Sequence, residues 1–147
     1  MIPSGDGAQR ELDPVYDFPV VPRYVEIDQQ GVAFYGHYLT WFDEAFTGFL
    51  AHVGVPYPDL IASGVDVQVV HAELDYAESV RWGDDVRVRV TSERVGSTSL
   101  TTTFAVHRTP DAPEPAVTGR LVHVCVAPAD DWRKCPVPEA LRAALTA

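Results

Sequence analysis

Asp28 is the residue in this chain whose surroundings are best suited to chemistry. It closes a short apolar stretch and is followed by the turn residues Gln29, Gln30 and Gly31, a few residues before a long apolar segment with helical spacing. A carboxylate can attack an acyl carbon or activate water as a general base, and N–H groups at a helix N-terminus can stabilise the resulting oxyanion. The alternative is structural, because aspartate before glycine commonly caps its own turn. The sequence leaves both interpretations open.

Three further polar side chains lie at or inside the predicted helix. His37 is near the helix start, where it is either a hydrogen-bonded structural residue or a second base that positions water. Asp43 and Glu44 are consecutive acidic residues in an otherwise apolar helix. We expect one of them to reach a partner subunit's pocket or a buried polar group and the other to be solvated, and the periodicity does not say which.

His123 and Cys125 are two residues apart on a predicted strand and therefore share one face. A cysteine–histidine nucleophile needs a third, orienting group that this pair does not supply, so we interpret both as core residues. No G-x-S-x-G, P-loop, G-x-G-x-x-G or H-E-x-x-H motif occurs in the chain. The five histidines and two cysteines show no metal-ligand spacing, and we expect neither a metal nor another cofactor.

The elements that must position these side chains follow from hydrophobic periodicity. Residues 24–27 are predicted as a strand, 28–31 as a turn and 38–53 as a helix that is buried on most sides. The period then changes to two, which predicts four consecutive long antiparallel strands forming a meander. These strands are predicted over residues 65–78, 85–95, 97–108 and 116–127. The order predicts an α+β fold in which a five-stranded antiparallel sheet wraps the central helix.

Length and composition restrict the class of protein. The chain has 147 residues, which we divide into a disordered leader at 1–14 and a single domain over 15–147 that ends in a short helix from residue 138. The net charge of −10 weighs against nucleic acid or an anionic membrane as partner. No apolar run approaches the roughly 20 residues of a membrane span, and no signal peptide is recognisable. We expect a cytoplasmic protein.

One segment carries the pattern of a known family. Residues 24–45, YVEIDQQGVAFYGHYLTWFDEA, place Asp28 at the end of the first strand, Gly31 three residues on and the aromatic Tyr35 four beyond that. A Tyr-Leu pair and acidic residues in the central helix follow. This segment resembles the 4-hydroxybenzoyl-CoA thioesterases, a family of acyl-CoA thioesterases with the hotdog fold.

Two later segments extend this resemblance. DYA at 75–77, followed by WGD at 82–84, is similar to the family's signature at its second strand. VGSTS at 95–99 is similar to the turn between its third and fourth strands. The matching pieces stand in the same order over roughly residues 22–127, which makes them more specific together than any one of them alone.

The resemblance implies a role for individual residues. It carries the family's catalytic aspartate onto Asp28, and it places Tyr35 where the family supplies a backbone N–H to the thioester oxygen. Asp43 matches an aspartate of the 4-hydroxybenzoyl-type members, and Glu44 matches an acidic position that related hotdog enzymes use in catalysis. The predicted substrate-binding residues are Gly31, Tyr35, His37, Tyr38, Trp41, Asp43, Glu44 and Arg94.

The sequence indicates a binding site for the acyl end of the substrate more clearly than one for its CoA end. Aromatic residues around the helix start predict a pocket for a flat or medium-sized acyl group: Phe34, Tyr35, Tyr38, Trp41 and Phe42. For the anionic coenzyme A, the family has a basic cluster near the turn between its third and fourth strands, where this chain has Arg94 alone. Alternating arginines on strands are by default a solvated face, here Arg81, Arg87, Arg89 and Arg120.

We therefore expect a thioesterase that hydrolyses an acyl-CoA to the free acid and CoA. An open sheet leaves one face and one edge uncovered, so a homodimer or homotetramer is expected. One alternative is a thioesterase for acyl groups on an acyl carrier protein (acyl-ACP). Others are a hotdog protein that binds acyl thioesters without hydrolysis or acts like a dehydratase, and a structural dimerisation module. The Asp28–Gly31–Tyr35 spacing argues against the last of these, and the position of His37 argues against a dehydratase.

Overall fold

The computed structural model describes residues 15–146, so the predicted leader at 1–14 lies outside the described chain. The strands are β1 (Val15–Val20), β2 (Asp66–Tyr76), β3 (Val86–Val95), β4 (Ser99–His107), β5 (Val117–Ala127) and β6 (Arg133–Lys134). The α-helices are α1 (His37–His52), α2 (Tyr57–Ala62) and α3 (Glu139–Thr146). Short 3₁₀ turns lie at Tyr24–Glu26 and Pro128–Asp130. The predicted central helix and the four long strands are confirmed, and each of their ends agrees to within two residues.

The sheet is antiparallel throughout and has the order β1-β3-β4-β5-β2, with β6 pairing beyond the end of β4 along β5. The predicted meander is correct for β3 to β5 but wrong for β2, which pairs with β5 at the far edge. The segment between β2 and β3 separates these two strands. It passes the start of α1, where the N–H of Ala33 donates to the carbonyl of buried Val80, and β3 then begins beside β1.

The strand predicted over residues 24–27 is wrong. The first strand is β1, and Tyr24–Glu26 forms a 3₁₀ turn. Tyr24 and Val25 are 81% and 72% exposed whereas Glu26 is 2% exposed, which inverts the burial expected from residue type. Glu26 turns inward because its carboxylate accepts hydrogen bonds there, and a strand over these residues would point it away from those donors.

The sheet curls around α1, whose apolar residues form the centre of the core. Phe42 is fully buried and stacks on Phe104 of β4, with ring centroids 4.4 Å apart and planes 8° from parallel. Beside it the backbone of β5 is bare at Gly119, where a Cβ would lie 2.8 Å from Cζ of Phe42 and 2.9 Å from the carbonyl oxygen of Glu73. This close contact between helix and sheet completes the hotdog fold, as predicted from the sequence.

The terminal helix α3 packs on the same core through buried Leu141 and Leu145. Within residues 15–146, no helix combines the length and the hydrophobicity needed to cross a lipid bilayer.

The contact between Phe42 and Gly119 predicts a steric limit. Gly119→Ala places a methyl group against the Phe42 ring and the Glu73 carbonyl, and we expect it to lower the free energy of unfolding by about 1–3 kcal/mol, as overpacking of a core does. Urea denaturation measures this loss. Because Phe42→Leu removes the ring atoms that clash, the double variant should be more stable than the sum of the two single losses predicts. Unchanged stability of Gly119→Ala would contradict the packing described.

Candidate active site

Asp28 lies in a tight turn that precedes α1. Its backbone N–H donates to the carbonyl of Val32 at 2.9 Å, and Gly31 donates back to the Asp28 carbonyl at 3.0 Å. Gly31 has φ +78°, a backbone conformation that favours glycine. Gln30 N–H donates to Oδ1 of Asp28 at 2.8 Å, so the carboxylate does cap its own turn. Among the hydrogen bonds of residues 15–146, Oδ2 of Asp28 has no partner, which leaves one carboxylate oxygen for a substrate or water.

Glu26 fixes this turn against the helix. Its buried carboxylate accepts hydrogen bonds from Trp41 Nε1 at 3.0 Å, from the Arg23 backbone N–H at 2.8 Å and from Arg23 Nη2 at 3.2 Å. Its carbonyl accepts from Phe34 N–H at 2.8 Å. Burial alone would raise the pKa of the Glu26 carboxyl, but the hydrogen bonds from Arg23 and Trp41 outweigh burial and hold the pKa below its ordinary value. The Glu26 carboxylate is therefore charged, and both of its oxygens accept hydrogen bonds.

A cleft of about 250 Å³ joins Asp28 to the start of α1 and the end of β2. Its aromatic lining is Tyr35, Tyr38 and Tyr76. Tyr76 Oη donates to the Tyr35 carbonyl at 3.1 Å, and buried Tyr38 Oη accepts from Val80 N–H at 3.1 Å. Within the part of the chain that the structure describes, the N–H of Tyr35 donates to no protein acceptor. Asp28, which has a free carboxylate oxygen, and Tyr35, which has a free backbone donor, thus both line this cleft.

The remaining predicted residues on α1 divide between core and surface. Trp41 is 1% exposed and bonded to Glu26, and Phe42 is enclosed by the sheet. Neither is among the residues that line this cleft, and their place in an acyl pocket stays a prediction. Their side chains occupy the helix face that the sheet covers. His37 is half-buried, with its ring edge-on to Phe34 at 5.8 Å. Glu44 is exposed.

Asp43 borders a second cavity of about 240 Å³ farther along α1. The cavity lies between α1, α2, the first half of β2 and β5. Its lining residues are Asp43, Phe46, Thr47, Tyr57, Val67, Val69 and His123. Of the two consecutive acidic residues, Asp43 is the one that meets a pocket.

His123 is the most unusual side chain of this second cavity. It is 3% exposed and stacks on Phe46, with ring centroids 4.1 Å apart and planes 13° from parallel. Its Nδ1 is buried without a hydrogen-bond partner, the one side-chain atom in this state among residues 15–146. Burial lowers the pKa of His123 to about 4 and raises the pKa of the neighbouring Cys125 thiol to about 11. Both residues are buried as predicted, and the thiol is protonated at neutral pH.

At the turn between β3 and β4, Arg142 Nη2 donates to the carbonyl of Gly96 at 2.7 Å. Arg94 lies exposed on β3, outside both cavities. Of the four arginines expected on a solvated face, three are paired with carboxylates: Arg87 with Asp85, Arg89 with Asp17, and Arg120 with Glu73 and Glu93. Arg81 forms an isolated β-bridge with Val32, whose carbonyl accepts from the Asp28 N–H. No three histidine, cysteine, aspartate or glutamate side chains of residues 15–146 are grouped as metal ligands.

Sequence reasoning missed Glu26 and treated Tyr76 only as part of a motif. The spacing of Arg23 and Glu26, three residues apart around a turn, is the local signal for a capping pair. Nothing local indicates that Trp41, fifteen residues later, donates to Glu26.

This geometry defines the class of protein: a hotdog domain that carries a free carboxylate beside its central helix. The sequence profile of the thioesterase superfamily matches residues 30–114, more than half of the chain. The chain therefore belongs to the thioesterase superfamily.

Individual relatives agree with this assignment. The candidate esterase sll0410 of Synechocystis sp. is 31% identical over 134 residues, which cover 86% of this chain and 80% of that protein. The 1,4-dihydroxy-2-naphthoyl-CoA hydrolase of Synechococcus elongatus is 24% identical over 129 residues, covering 86% of this chain and 92% of the hydrolase. The solved structure of BH1999, described as a gentisyl-coenzyme A thioesterase, matches with a TM-score of 0.74 and 25% identity, covering 90% of this chain and 99% of that one.

The burial of His123 predicts a pH dependence of stability. An unfolded chain protonates this imidazole below its ordinary pKa of 6.5, but the folded chain does so only near 4. The unfolded state thus binds more protons in this interval, so stability present above pH 6.5 is lost as the pH falls towards 4, by at most about 3 kcal/mol from this group. Urea denaturation across this range should show a shallower loss for His123→Phe, and parallel curves would contradict the prediction.

Proposed function

We propose that this protein is an acyl-CoA thioesterase of the 4-hydroxybenzoyl-CoA thioesterase type. It hydrolyses the thioester of an aromatic or medium-sized acyl group to the free acid and CoA. The observation that supports this most directly is the pairing, in one cleft, of the unpartnered Asp28 carboxylate oxygen with the unpartnered N–H of Tyr35. Acyl hydrolysis needs one group of each kind.

Asp28 and Tyr35 take opposite parts in the reaction. Asp28 either accepts a proton from the water that attacks the thioester carbon or attacks that carbon itself to form an anhydride, which water then cleaves. In both routes the carbonyl oxygen becomes an oxyanion, which the Tyr35 N–H stabilises. Collapse of the tetrahedral intermediate breaks the C–S bond, and the CoA thiolate leaves and takes up a proton. The hydrogen bond from Gln30 and the anchored turn keep the carboxylate in place throughout.

Support for an aromatic acyl group comes from the relatives. The hydrolase of Synechococcus elongatus and BH1999 are both named for hydroxylated aromatic acyl-CoA substrates. In this chain, the cleft is lined by three tyrosines, and the second cavity by Phe46 and Tyr57. Aromatic side chains in both places favour stacking on a flat ring.

We also propose that two copies pair through β2 and share their sites. β2 is a free sheet edge of 11 residues, and Val69 and Val70 on it are 50% and 59% exposed. A long, exposed, apolar edge favours pairing with another strand. Antiparallel pairing about a two-fold axis sets the Tyr76 end of one β2 against the Asp66 end of the other. The Asp28 cleft lies at the first end and the cavity with His123 at the second, so each thioester would reach from one copy into its partner.

Residues 15–147 are proposed to act as one domain in this dimer. The packing of α3 on the common core through Leu141 and Leu145 supports this.

The proposed role of Asp28 predicts the effect of its replacement. Asp28→Asn keeps the size of the side chain and the acceptor for Gln30 but removes the charge that attacks or activates water. We expect kcat with an aromatic acyl-CoA to fall at least about 10²-fold, while KM and the unfolding midpoint change little. Release of CoA, followed with a thiol reagent, measures the rate.

Glu44→Gln and His37→Ala are the controls for Asp28→Asn, and we expect smaller losses from both. Near-normal turnover of Asp28→Asn together with inactive Glu44→Gln would place the catalytic carboxylate on the helix and reject the proposal. If no thioester in a panel of aromatic and aliphatic acyl-CoA and acyl-ACP substrates is hydrolysed, the enzyme assignment itself fails.

The dimer proposal predicts a matched difference between the two sheet edges. Val70→Glu on β2 sets two carboxylates near each other across the two-fold axis, so light scattering should show a shift from twice the chain mass towards the chain mass. Val15→Glu on β1, the opposite edge, should leave the mass unchanged. A wild-type protein that scatters as a single chain at micromolar concentration would overturn the proposal.

A further inference from the structure

We propose that Cys125 and Cys135 form a modification site, at which oxidation by a peroxide makes a reversible disulfide between β5 and β6. They are the two cysteines of the chain, and both are free thiols in this structure. The inference concerns the C-terminal segment and stands independently of the proposed function.

The register of β6 on β5 sets the two cysteines opposite each other. Val126 pairs with Lys134, so the next position of the same antiparallel register brings Cys125 against Cys135. The Cys135 N–H donates to the Cys125 carbonyl at 2.9 Å, which continues the pairing to this position. Opposite residues of antiparallel strands share a face and have Cα atoms about 4.5–5.5 Å apart, within the roughly 4.4–6.8 Å that a disulfide spans.

Both side chains pack into the core. Cys125 is fully buried in the hydrophobic cluster around α1, and Cys135 is half-buried and packs against that cluster. Burial is the main cause of the raised pKa of the Cys125 thiol, about 11, and the nearby Cys135 is the second cause. The two thiols are therefore close together, and Cys135 is the one that an oxidant in solution reaches.

The chain between the cysteines adopts an unfavourable conformation to make this pairing. Asp131 and Trp132 have φ of 57° and 58°, and the left-handed region is rare for a residue as bulky as tryptophan. The Trp132 N–H donates to the Ala127 carbonyl at 3.0 Å, which closes the turn. Strain of this kind persists where the surrounding structure over-determines it, and it clusters in segments with a function. Here its effect is to return the chain so that Cys135 meets Cys125.

The oxidation balances with hydrogen peroxide as the oxidant. The Cys135 thiolate attacks one peroxide oxygen, the O–O bond breaks and hydroxide leaves, which gives a sulfenic acid. The Cys125 sulfur then attacks the Cys135 sulfur. The S–S bond forms as the S–O bond breaks, and the thiol proton leaves with the hydroxyl group as water. In sum, two thiols lose two hydrogen atoms and one peroxide is reduced to two waters.

Both thiols have a pKa above the ordinary value because of burial, so less thiolate is present at neutral pH. The thiolate is the species that a peroxide oxidises. We therefore expect this site to react more slowly than an exposed cysteine of low pKa.

The disulfide ties the C-terminal segment to the sheet. Beyond Cys135, the Val137 N–H donates to the Ser97 carbonyl at 2.9 Å and Leu141 is fully buried, so non-covalent contacts already hold the segment on the core. A bond from Cys125 to Cys135 restricts the unfolded chain as well. We expect the oxidised protein to unfold at a temperature about 5–10 °C above that of the reduced protein.

Mass spectrometry of the full chain tests the bond. The reduced protein is treated with excess hydrogen peroxide, remaining thiols are blocked by alkylation, and the chain is digested with trypsin without a reductant. Trypsin leaves Cys125 in the fragment 121–133 and Cys135 in the fragment 135–142. We expect these fragments to appear joined, at the sum of their masses less two hydrogen atoms. Dithiothreitol should separate them and reverse the rise in unfolding temperature.

Cys135→Ala and Cys125→Ala are the matched variants. The first keeps only the fully buried thiol, which the same treatment should leave reduced. The second keeps only the half-buried thiol, whose oxidation should add oxygen without a cross-link within the chain. Neither variant should gain stability under peroxide. If Cys125→Ala folds poorly because its site is in the core, Cys135→Ala still supplies the comparison.

The inference is overturned if the treated wild type keeps both thiols, if Cys135 gains oxygen without a cross-link, or if the disulfides join different chains. An equal rise in unfolding temperature in Cys135→Ala would show that the bond is not its cause. All readouts are masses and unfolding temperatures. A protein that hydrolyses no thioester would therefore leave this inference intact, and the absence of the disulfide would leave the proposed function intact.

Discussion

The buried carboxylate of Glu26 is the interaction on which the candidate site depends. It joins the chain before α1 to Trp41 inside α1 and accepts from Arg23 on one side of the loop that carries Asp28. On the other side of this loop, the backbone carbonyl of Glu26 accepts from the N–H of Phe34. A charge in this position is tolerated only because three donors surround it. These contacts fix the position and orientation of the loop relative to α1. They also position Asp28, which follows Glu26 by two residues.

The second constraint is the distance between α1 and the sheet. Phe42 rests on the bare backbone at Gly119 and on the ring of Phe104, so the helix lies deep in the curl of the strands. Both cavities open along the sides of this helix, one near its start and one at the turn that includes Asp43. A substitution that changed this contact would shift α1 relative to the sheet and so change both cavities at once, because α1 borders both.

The sequence predicted what depends on local pattern and failed where a distant contact decides. Apolar residues at helical spacing predicted α1, and alternation predicted β3 to β5, because these elements bury one regular face. The Tyr-Val-Glu-Ile run alternates like a strand, yet Trp41 draws Glu26 inward and leaves Tyr24 and Val25 in solvent. The prediction that β2 pairs with β3 is wrong for a related reason. Alternation indicates which face of a strand is buried, but it does not indicate which strand pairs with it.

For the site, the resemblance and the turn chemistry together picked out Asp28, and the structure shows that the turn-capping role and a free carboxylate oxygen coexist. The prediction that His123 is a core residue is confirmed by its burial. What the sequence could not express is that one of its nitrogens lies without a partner and that its ring borders a cavity. Both facts depend on α1 and α2 packing beside β5, far away in the chain.

The placement of the two cavities at opposite ends of β2 has a genetic consequence. If the copies pair as proposed, each chain carries the carboxylate half of one site and the acyl half of the other. Two alleles, one impaired at Asp28 and one in the cavity around His123, would then be inactive or unselective alone but complementary in the same cell. A mixed dimer would contain one site with both substitutions and one site with neither. The second site would be intact, so the mixed dimer would keep activity that neither variant has alone.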